Sequence, residues 1–177
     1  MSKFSRLPGL VILSCALAVG LSQSGFAQQR PGRLTEAQSI TNGEAHAIIN
    51  GAIAFAKQKN IPIAVVVLDT TGVVVASDRM DGASPGNVHF AEGKAYAALM
   101  LRSTTETLSE LAKTRPDRYF GIVNMYPGKV YLVGGGEPLA INGRMVGAVG
   151  VAGLPQGVDE MAGDAGMAEW AKYRAKK

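Results

Sequence analysis

The chain has 177 residues, of which 47% are hydrophobic and 18% are charged, and its formal net charge is +4 at pH 7. This composition excludes a disordered chain, a collagen-like repeat and a disulfide-dense miniprotein, because the apolar content is that of a globular domain and there is a single cysteine. A chain of this length is expected to form one domain.

The first 27 residues have the pattern of a secretory signal peptide. Lys3 and Arg6 precede an apolar stretch over residues 7–21, and Gly25-Phe26-Ala27 supplies the small residues of a cleavage site. The apolar stretch is too short for a stable membrane span, so the protein is predicted to be periplasmic or secreted after cleavage near Ala27. A lipoprotein signal is the alternative, because Ile12-Leu13-Ser14-Cys15 loosely resembles a lipobox.

Removing this leader lowers the net charge of the protein and so weakens the case for a negatively charged partner. Lys3 and Arg6 are its only charged residues, so the formal charge of the remainder falls from +4 to +2. A nearly balanced surface without clusters of Lys and Arg argues against nucleic-acid binding. The remainder has no cysteine, since Cys15 lies in the leader, and this excludes disulfides, thiolate catalysis and Cys-ligated metals there.

The first part of the domain, which is predicted to cover residues 35–177, has the pattern of a helix, a hairpin and two more helices. Residues 28–34 form a short lead-in, after which Thr35 caps an amphipathic helix that runs to about Asn60 and has His46 on its polar face. Residues 63–69 and 73–78 flank the turn Thr70-Thr71-Gly72 and predict two antiparallel strands. Helices are predicted over about 87–101 and 104–113.

The second part is predicted to contain three strands and a final helix. Residues 115–128 contain two prolines and are predicted to be a connecting loop, followed by a strand over 129–133. Asn142-Gly143, between apolar residues 138–141 and 145–151, is the clearest hairpin signal, and a last helix covers about 158–175. Because hairpins join most strands, the fold class is predicted to be α+β, with helices packed on an antiparallel five-stranded sheet.

The helix predicted over about 87–101 is the most informative for function, because it has two apolar faces. At about 100° per residue, one face is formed by Val88, Ala91, Ala95 and Ala98, which is sufficient for core packing. The opposite face, called the His89 face below, is formed by His89, Gly93, Tyr96 and Met100. Since both faces must be covered, either another subunit or a ligand is expected over the His89 face.

A ligand over the His89 face is predicted to be planar and apolar. Gly93 would leave a flat recess framed by His89, Tyr96 and Met100, whose imidazole, phenolate and thioether are groups that also ligate haem iron. Lys94 and Arg102 flank the face and would pair with carboxylates, such as haem propionates or a small organic acid. Lys94 is alternatively a general base if it is buried. Residues of these types at helical spacing are also common in ordinary cores.

Two further motifs lie in the second part of the domain. Gly134-Gly135-Gly136 lacks the GK[ST] ending of a phosphate loop and precedes a strand, so it is predicted to form a tight turn or the wall of a pocket. Asp159, Glu160 and Asp164 complement the dipole of the last helix, with weak binding of iron or another hard ion as the alternative. Neither a Ser-His-Asp order nor an HExxH motif is present, so nothing supports a hydrolase.

Taken together, these segments resemble the GlcG/HbpS-like family, also called the haem-degrading domain family, over about residues 34–175. The resemblance implies a profilin-like α+β domain that forms homo-oligomers and has Lys94, Gly135 and Gly136 lining its site. Some exported relatives bind haem or iron in haem sensing or oxidative-stress defence. The match rests on residues 63–72, Arg79-Met80-Asp81-Gly82-Ala83, Lys94-Ala95-Tyr96, Gly134-Gly135-Gly136 with Pro138-Leu139, and residues 143–150 followed by Asp159-Glu160.

The combined prediction is an exported, homo-oligomeric protein that binds haem, another tetrapyrrole or iron, with His89 or Tyr96 as the ligand of the haem iron. One alternative is an enzyme that acts on a small organic acid with Lys94 as the base. Another is an interaction protein whose His89 face is covered only by a second subunit. Binding is favoured over catalysis. The predicted binding residues are His89, Gly93, Lys94, Tyr96, Arg102, Gly135 and Gly136.

Overall fold

A computed structural model describes residues 39–153 and 157–176. The predicted leader, the lead-in over 28–34 and the helix cap at Thr35 lie outside the described residues. None of the described helices is long and apolar enough to span a bilayer. The helices are α1 (Asn42–Lys59), α2 (Gly86–Leu101), α3 (Thr105–Ser109), α4 (Leu111–Thr114), α5 (Pro116–Met125) and α6 (Val158–Ala175), and the strands are β1 (Ala64–Asp69), β2 (Val74–Arg79), β3 (Gly136–Ile141) and β4 (Arg144–Ala152).

The four strands form one antiparallel sheet in the order β2-β1-β4-β3, which confirms the predicted α+β class. The hairpin between β3 and β4 turns at Asn142 and Gly143, whose φ angles are 51° and 76°. Positive φ at two successive residues is typical of a type I′ turn, which is why Asn-Gly predicts it so well. β1 and β4 are the central strands, and they are buried almost throughout.

The prediction of a fifth strand over residues 129–133 is wrong, because the described part of the sheet has four strands. Instead of pairing with a sheet edge, this segment crosses the outer surface of α2, and the backbone N–H of Tyr131 donates to the carbonyl oxygen of Gly93 at 3.1 Å. The backbone N–H that would pair with a neighbouring strand therefore donates to a helix carbonyl.

Helix α5 occupies most of the segment that was predicted to be a loop. Pro116 stands at its first turn, where the missing N–H costs nothing, and Asp117 adds a negative charge to the same turn. Tyr119, Ile122 and Val123 are spaced to lie on one face and pack beside a small cluster of buried residues on α2 and α3. At the start of the described region, Thr41 caps α1 through a capping box with Glu44.

Helices cover both faces of the sheet, so the core has two layers. Alternate residues of β1 point to opposite sides: Val65 and Val67 pack towards α1 and α6, and Val66 and Leu68 pack towards α2. Helix α2 lies close to the sheet because its inner face is alanine and because Gly150 of β4, directly beneath Ala91, has no side chain. This close packing fixes the outer surface of α2, where the predicted site residues lie.

Candidate functional site

Residues 129–131, called the crossing segment below, divide the outer surface of α2 at Gly93. A Cβ atom on Gly93 would lie 3.0 Å from the Cβ of Tyr131 and 3.3 Å from its backbone nitrogen. Glycine at this position therefore makes room for the protein's own chain, and it also lines a cavity together with His89 and Tyr96. A different cavity lies on each side of the crossing segment.

The cavity on one side, called the His89 cavity, has a volume of about 260 Å³. The ring of His89 is exposed and has no hydrogen-bond partner among the described residues. The half-buried ring of Tyr96 makes an edge-on contact with Tyr126, and the ammonium of Lys129 lies 5.9 Å from its centroid. The cavity is lined by Gly72, His89, Glu92, Gly93, Tyr96, Gly128 and Lys129.

The cavity on the other side, called the Lys94 cavity, has a volume of about 420 Å³. Its rim is formed by Phe90 and Tyr131, whose rings stack with centroids 4.9 Å apart and planes inclined by 24°. The lining residues are Asn87, Phe90, Lys94, Tyr131, Val133, Gly134, Ala152, Gly153, Gly157, Asp159 and Glu160. An aromatic rim above a charged floor is typical of a small-molecule site.

A buried ion pair forms the floor of the Lys94 cavity. Lys94 is 2% exposed, and its Nζ donates to Asp159 Oδ2 at 2.5 Å and to the carbonyl oxygen of Val151 at 2.8 Å. Burial raises the pKa of the Asp159 carboxyl, and the neighbouring ammonium of Lys94 opposes that rise. Both contacts use the Nζ of Lys94 as a hydrogen-bond donor, and together they fix it at the floor of the cavity.

A third cavity, of about 780 Å³, adjoins the Lys94 cavity and is called the acidic cavity. The two share Val133, Gly134, Gly157 and Glu160 as lining residues, and the acidic cavity adds three more carboxylates. Burial, together with Asp164, Glu160 and Glu106, raises the pKa of nearby Glu137 to about 7. Among the described residues, no group of three or more His, Cys, Asp or Glu side chains is arranged to hold a metal ion. The additional carboxylates are Glu106, Glu110 and Asp164.

The structure separates the predicted binding residues. His89, Gly93 and Tyr96 share the His89 cavity, whereas Lys94 lies across the crossing segment. Arg102 is exposed at the end of α2, with a φ of 52°, and lines none of the three cavities. Lys94 and Arg102 therefore do not flank the His89 face as predicted.

The triple glycine lies against Lys94. A Cβ atom on Gly135, whose φ is 108°, would approach the Nζ of Lys94 to 3.1 Å, and Gly136 lies against the Lys94 backbone and donates its N–H to Thr105 Oγ1 at 2.7 Å. Gly134 lines both the Lys94 cavity and the acidic cavity, so it forms a wall of the kind predicted. The three glycines thus belong to the ion-pair side of α2.

Several lining residues of these cavities were not predicted, among them Phe90, Lys129 and Tyr131. Phe90 directly follows His89, and it could have been found by placing every residue of α2 on a helical wheel. Lys129 and Tyr131 were assigned to a strand, and nothing in the local sequence indicates that their segment crosses a helix. Likewise, the sequence relates Asp159 to the helix dipole or to weak metal binding and does not indicate its pairing with Lys94, because the two are 65 residues apart.

Comparisons with known proteins agree on one family. A family model described as haem degrading protein HbpS-like matches residues 40–168. A Citrobacter freundii protein, described as an uncharacterized 15.0 kDa protein in the dhaT-dhaS intergenic region, is 30% identical over 115 residues, which cover 65% of this chain and 80% of that protein.

Two solved structures extend the similarity to the fold. The crystal structure of HbpS is 31% identical with a TM-score of 0.67, and the match covers 78% of this chain and 95% of that one. The crystal structure of a PduOC:haem complex is 25% identical with a TM-score of 0.69, and the match covers 74% of this chain and 94% of that one.

Proposed function

The chain belongs to the HbpS-like family of haem degrading proteins, and on this premise we propose that it binds haem, or a closely related planar tetrapyrrole, beside α2. The observation that carries the proposal is the exposed imidazole of His89, which has no hydrogen-bond partner among the described residues and lines a cavity beside a second iron-ligating group, Tyr96. The similarity in fold to the PduOC:haem complex supports the same ligand class.

The side chains of the His89 cavity fit haem in chemical type. His89 would hold the iron through its imidazole, with the phenol of Tyr96 as the alternative ligand. Lys129, whose ammonium lies 5.9 Å from the centroid of the Tyr96 ring, would pair with a propionate. It would thus take the role that was predicted for Lys94 and Arg102. Bound haem supplies an iron centre whose reactivity depends on its axial ligand and on the polarity around it.

The size of the His89 cavity suggests that one copy of the chain covers haem only in part. Its volume of about 260 Å³ lies just below the range of about 300 to 1,000 Å³ of pockets that enclose a ligand. We therefore also propose that the protein is a homo-oligomer in which a second copy covers the remainder. Light scattering should show a mass that is a multiple of the monomer's, and a monomer at every concentration would contradict this proposal.

Export is a separate proposal that rests on the sequence pattern of residues 1–27 alone. N-terminal sequencing of the protein from the periplasm or the medium should begin at Gln28. A chain that stays in the cytoplasm and keeps its first 27 residues would contradict it.

Titration of the purified protein with haemin tests the haem proposal. The wild-type protein should give a saturable Soret shift, and His89→Ala should weaken or abolish it. His46→Ala is a matched control, because His46 is the chain's other histidine and lies exposed on α1, away from the cavity. Tyr96→Phe keeps the ring and removes the phenol, so it reports whether Tyr96 is the ligand instead. A titration without a Soret shift in the wild-type protein would overturn the proposal.

The alternative of an enzyme for a small organic acid receives less support. The Nζ of Lys94, the base in that hypothesis, is buried and donates hydrogen bonds to Asp159 and Val151, so it is poorly placed to take a proton from a substrate. With Asp159 and Glu160, the charged groups that line its cavity are one cation and two carboxylates, which disfavours a second anion there.

A further inference from the structure

The Lys94 cavity has the size and the polarity of a ligand site that the haem proposal does not use. Its volume of about 420 Å³ lies inside the usual range for small-molecule pockets, about 300 to 1,000 Å³. Histidine is absent from its described lining, and the crossing segment separates it from His89. A ligand in this cavity would therefore be chosen by groups other than those that would hold haem.

Two carboxylates in this cavity have an oxygen that lacks a partner. Glu160 Oε2 is buried and has no hydrogen-bond partner among the described residues. Asp159 uses Oδ2 for Lys94, while its Oδ1 makes no hydrogen bond of good geometry to any described residue, although the backbone N–H of Gly153 is close enough to lower the pKa of this carboxyl. A buried carboxylate oxygen left unpaired is costly, so a side-chain rotation that brings it to a donor of a ligand would lower the free energy of the complex.

The side chains around the cavity carry more negative than positive charge. Lys94 is the single cation in the described lining, and it is already paired with Asp159, which leaves Glu160 without a counter-ion. The adjoining acidic cavity has three more carboxylates and no Lys or Arg among its described lining residues, although one of the three, Glu110, pairs with Lys113 at the surface. The raised pKa of Glu137 has the same physical cause, since it arises from burial and from the repulsion of Asp164, Glu160 and Glu106.

The rim of the cavity fits a flat group. The stacked rings of Phe90 and Tyr131 are 45% and 37% exposed, so their outer surfaces remain available. Aromatic faces attract cations as well as other flat rings. A carboxylate floor below an aromatic rim therefore selects for a ligand that is both planar and positively charged.

From these contacts we infer that the Lys94 cavity binds a planar organic cation bearing N–H donors, of the amidinium or aromatic amine class. Its ring lies against Phe90 and Tyr131, and its N–H groups donate to Asp159 and Glu160. This site is distinct from the one proposed for haem, because the two lie on opposite sides of the crossing segment.

Three probes of nearly equal shape and different charge test this inference: benzamidine, benzamide and benzoate. Calorimetric titration of the haem-free protein at low salt should show saturable binding of benzamidine, about tenfold tighter than that of benzamide because its hydrogen bonds are charge-assisted. Benzoate should bind least. Equal binding of the three, tighter binding of benzoate, or no binding of any of them would overturn the inference.

Two substitutions locate the site. Glu160→Gln keeps the shape of the side chain and removes its charge, so benzamidine should bind about tenfold more weakly while benzamide changes by less than about threefold. Phe90→Ala should weaken both probes, because it removes half of the aromatic rim. Benzamidine binding that neither substitution weakens would place the ligand elsewhere and overturn the inference.

Matched controls guard against changes in folding. Glu169→Gln removes a carboxylate farther along the same helix, where Glu169 pairs with Lys172. Phe120→Ala removes a phenylalanine that is 61% exposed on α5. Both controls should leave benzamidine affinity unchanged. The outcome is separable from the haem proposal, because His89→Ala should abolish the Soret shift and leave benzamidine binding intact.

Discussion

The two cavities beside α2 are built from adjacent residues of one helix, yet the groups that they offer a ligand differ. His89 and Phe90 are neighbours in sequence, but one lines an open cavity with an unpaired imidazole and the other lines a cavity above a buried ion pair. The cause is the crossing segment, which contacts α2 at Gly93 and divides its outer surface. The crossing segment, and not the periodicity of the helix alone, thus decides which residues of α2 line the same cavity.

The largest effect should come from breaking the ion pair on the Lys94 side. Lys94→Met leaves the buried carboxylate of Asp159 without its cation, so the free energy of unfolding should fall by about 3 to 5 kcal/mol. Chemical denaturation measures it. Lys113→Met is the control, because Lys113 pairs with Glu110 on the surface, where such pairs contribute at most about 1 kcal/mol. Equal losses in the two variants would show that burial of the Lys94 pair has no special importance.

A substitution at Gly93 tests the packing of the crossing segment on α2. Gly93→Val would press on Tyr131 and should lower the free energy of unfolding by about 1 to 3 kcal/mol, since overpacking forces neighbours to shift. Gly121→Val is the matched control, because Gly121 lies within α5 and a Cβ there would meet nothing within 4 Å. Thermal or chemical denaturation compares them. If Gly93→Val is as stable as Gly121→Val, the crossing segment does not depend on glycine.

A smaller, pH-dependent effect on the free energy of unfolding is expected from Glu137, which lies near the acidic cavity. The pKa of Glu137 is raised to about 7, so the folded protein binds this proton more tightly than the unfolded chain does. The contribution of Glu137 to the free energy of unfolding should therefore be greatest at low pH, and it should decrease as the pH rises from about 4.5 to about 7. At about 1.4 kcal/mol per pKa unit the loss is at most about 3 kcal/mol, and partial exposure reduces it to about 1 to 2 kcal/mol.

The isosteric variant Glu137→Gln isolates that effect. It should be more stable than the wild-type protein at pH 8 by about 1 to 2 kcal/mol and nearly equal to it at pH 4, as measured by urea denaturation at both values. Glu110→Gln, on an exposed side chain, should show little difference at either pH. A difference for Glu137→Gln that does not change with pH would contradict the raised pKa.

Elements whose signals are local were predictable from sequence. The hairpin at Asn142-Gly143 forms because these two residues tolerate positive φ, and the last helix begins at Val158 and ends at Ala175, as its pattern indicates. Helix α5 was also predictable in principle. Pro116 at the first turn and the spacing of Tyr119, Ile122 and Val123 are helix signals, but the prolines and aromatic residues around them suggested a loop.

The candidate site was only half predictable. The sequence singled out α2 as a helix with two apolar faces and grouped His89, Gly93 and Tyr96, which do share a cavity. It also grouped Lys94 and Arg102 with them, because on a helical wheel they flank the same face. In the folded protein Lys94 faces Asp159. Arg102 lies at the end of the helix and lines none of the three cavities.

By itself, the amino-acid order determined the α+β class, the antiparallel hairpins, the family and the helix beside which the candidate site lies, because propensity, turn chemistry and periodicity act over a few residues. Tertiary structure alone decided that residues 129–131 lie on a helix and not in the sheet, that Lys94 meets a carboxylate 65 residues away, and that two separate cavities lie beside α2. The physical reason is that these contacts join segments distant in sequence, and their energy depends on burial and charge pairing that exist only after the chain has folded.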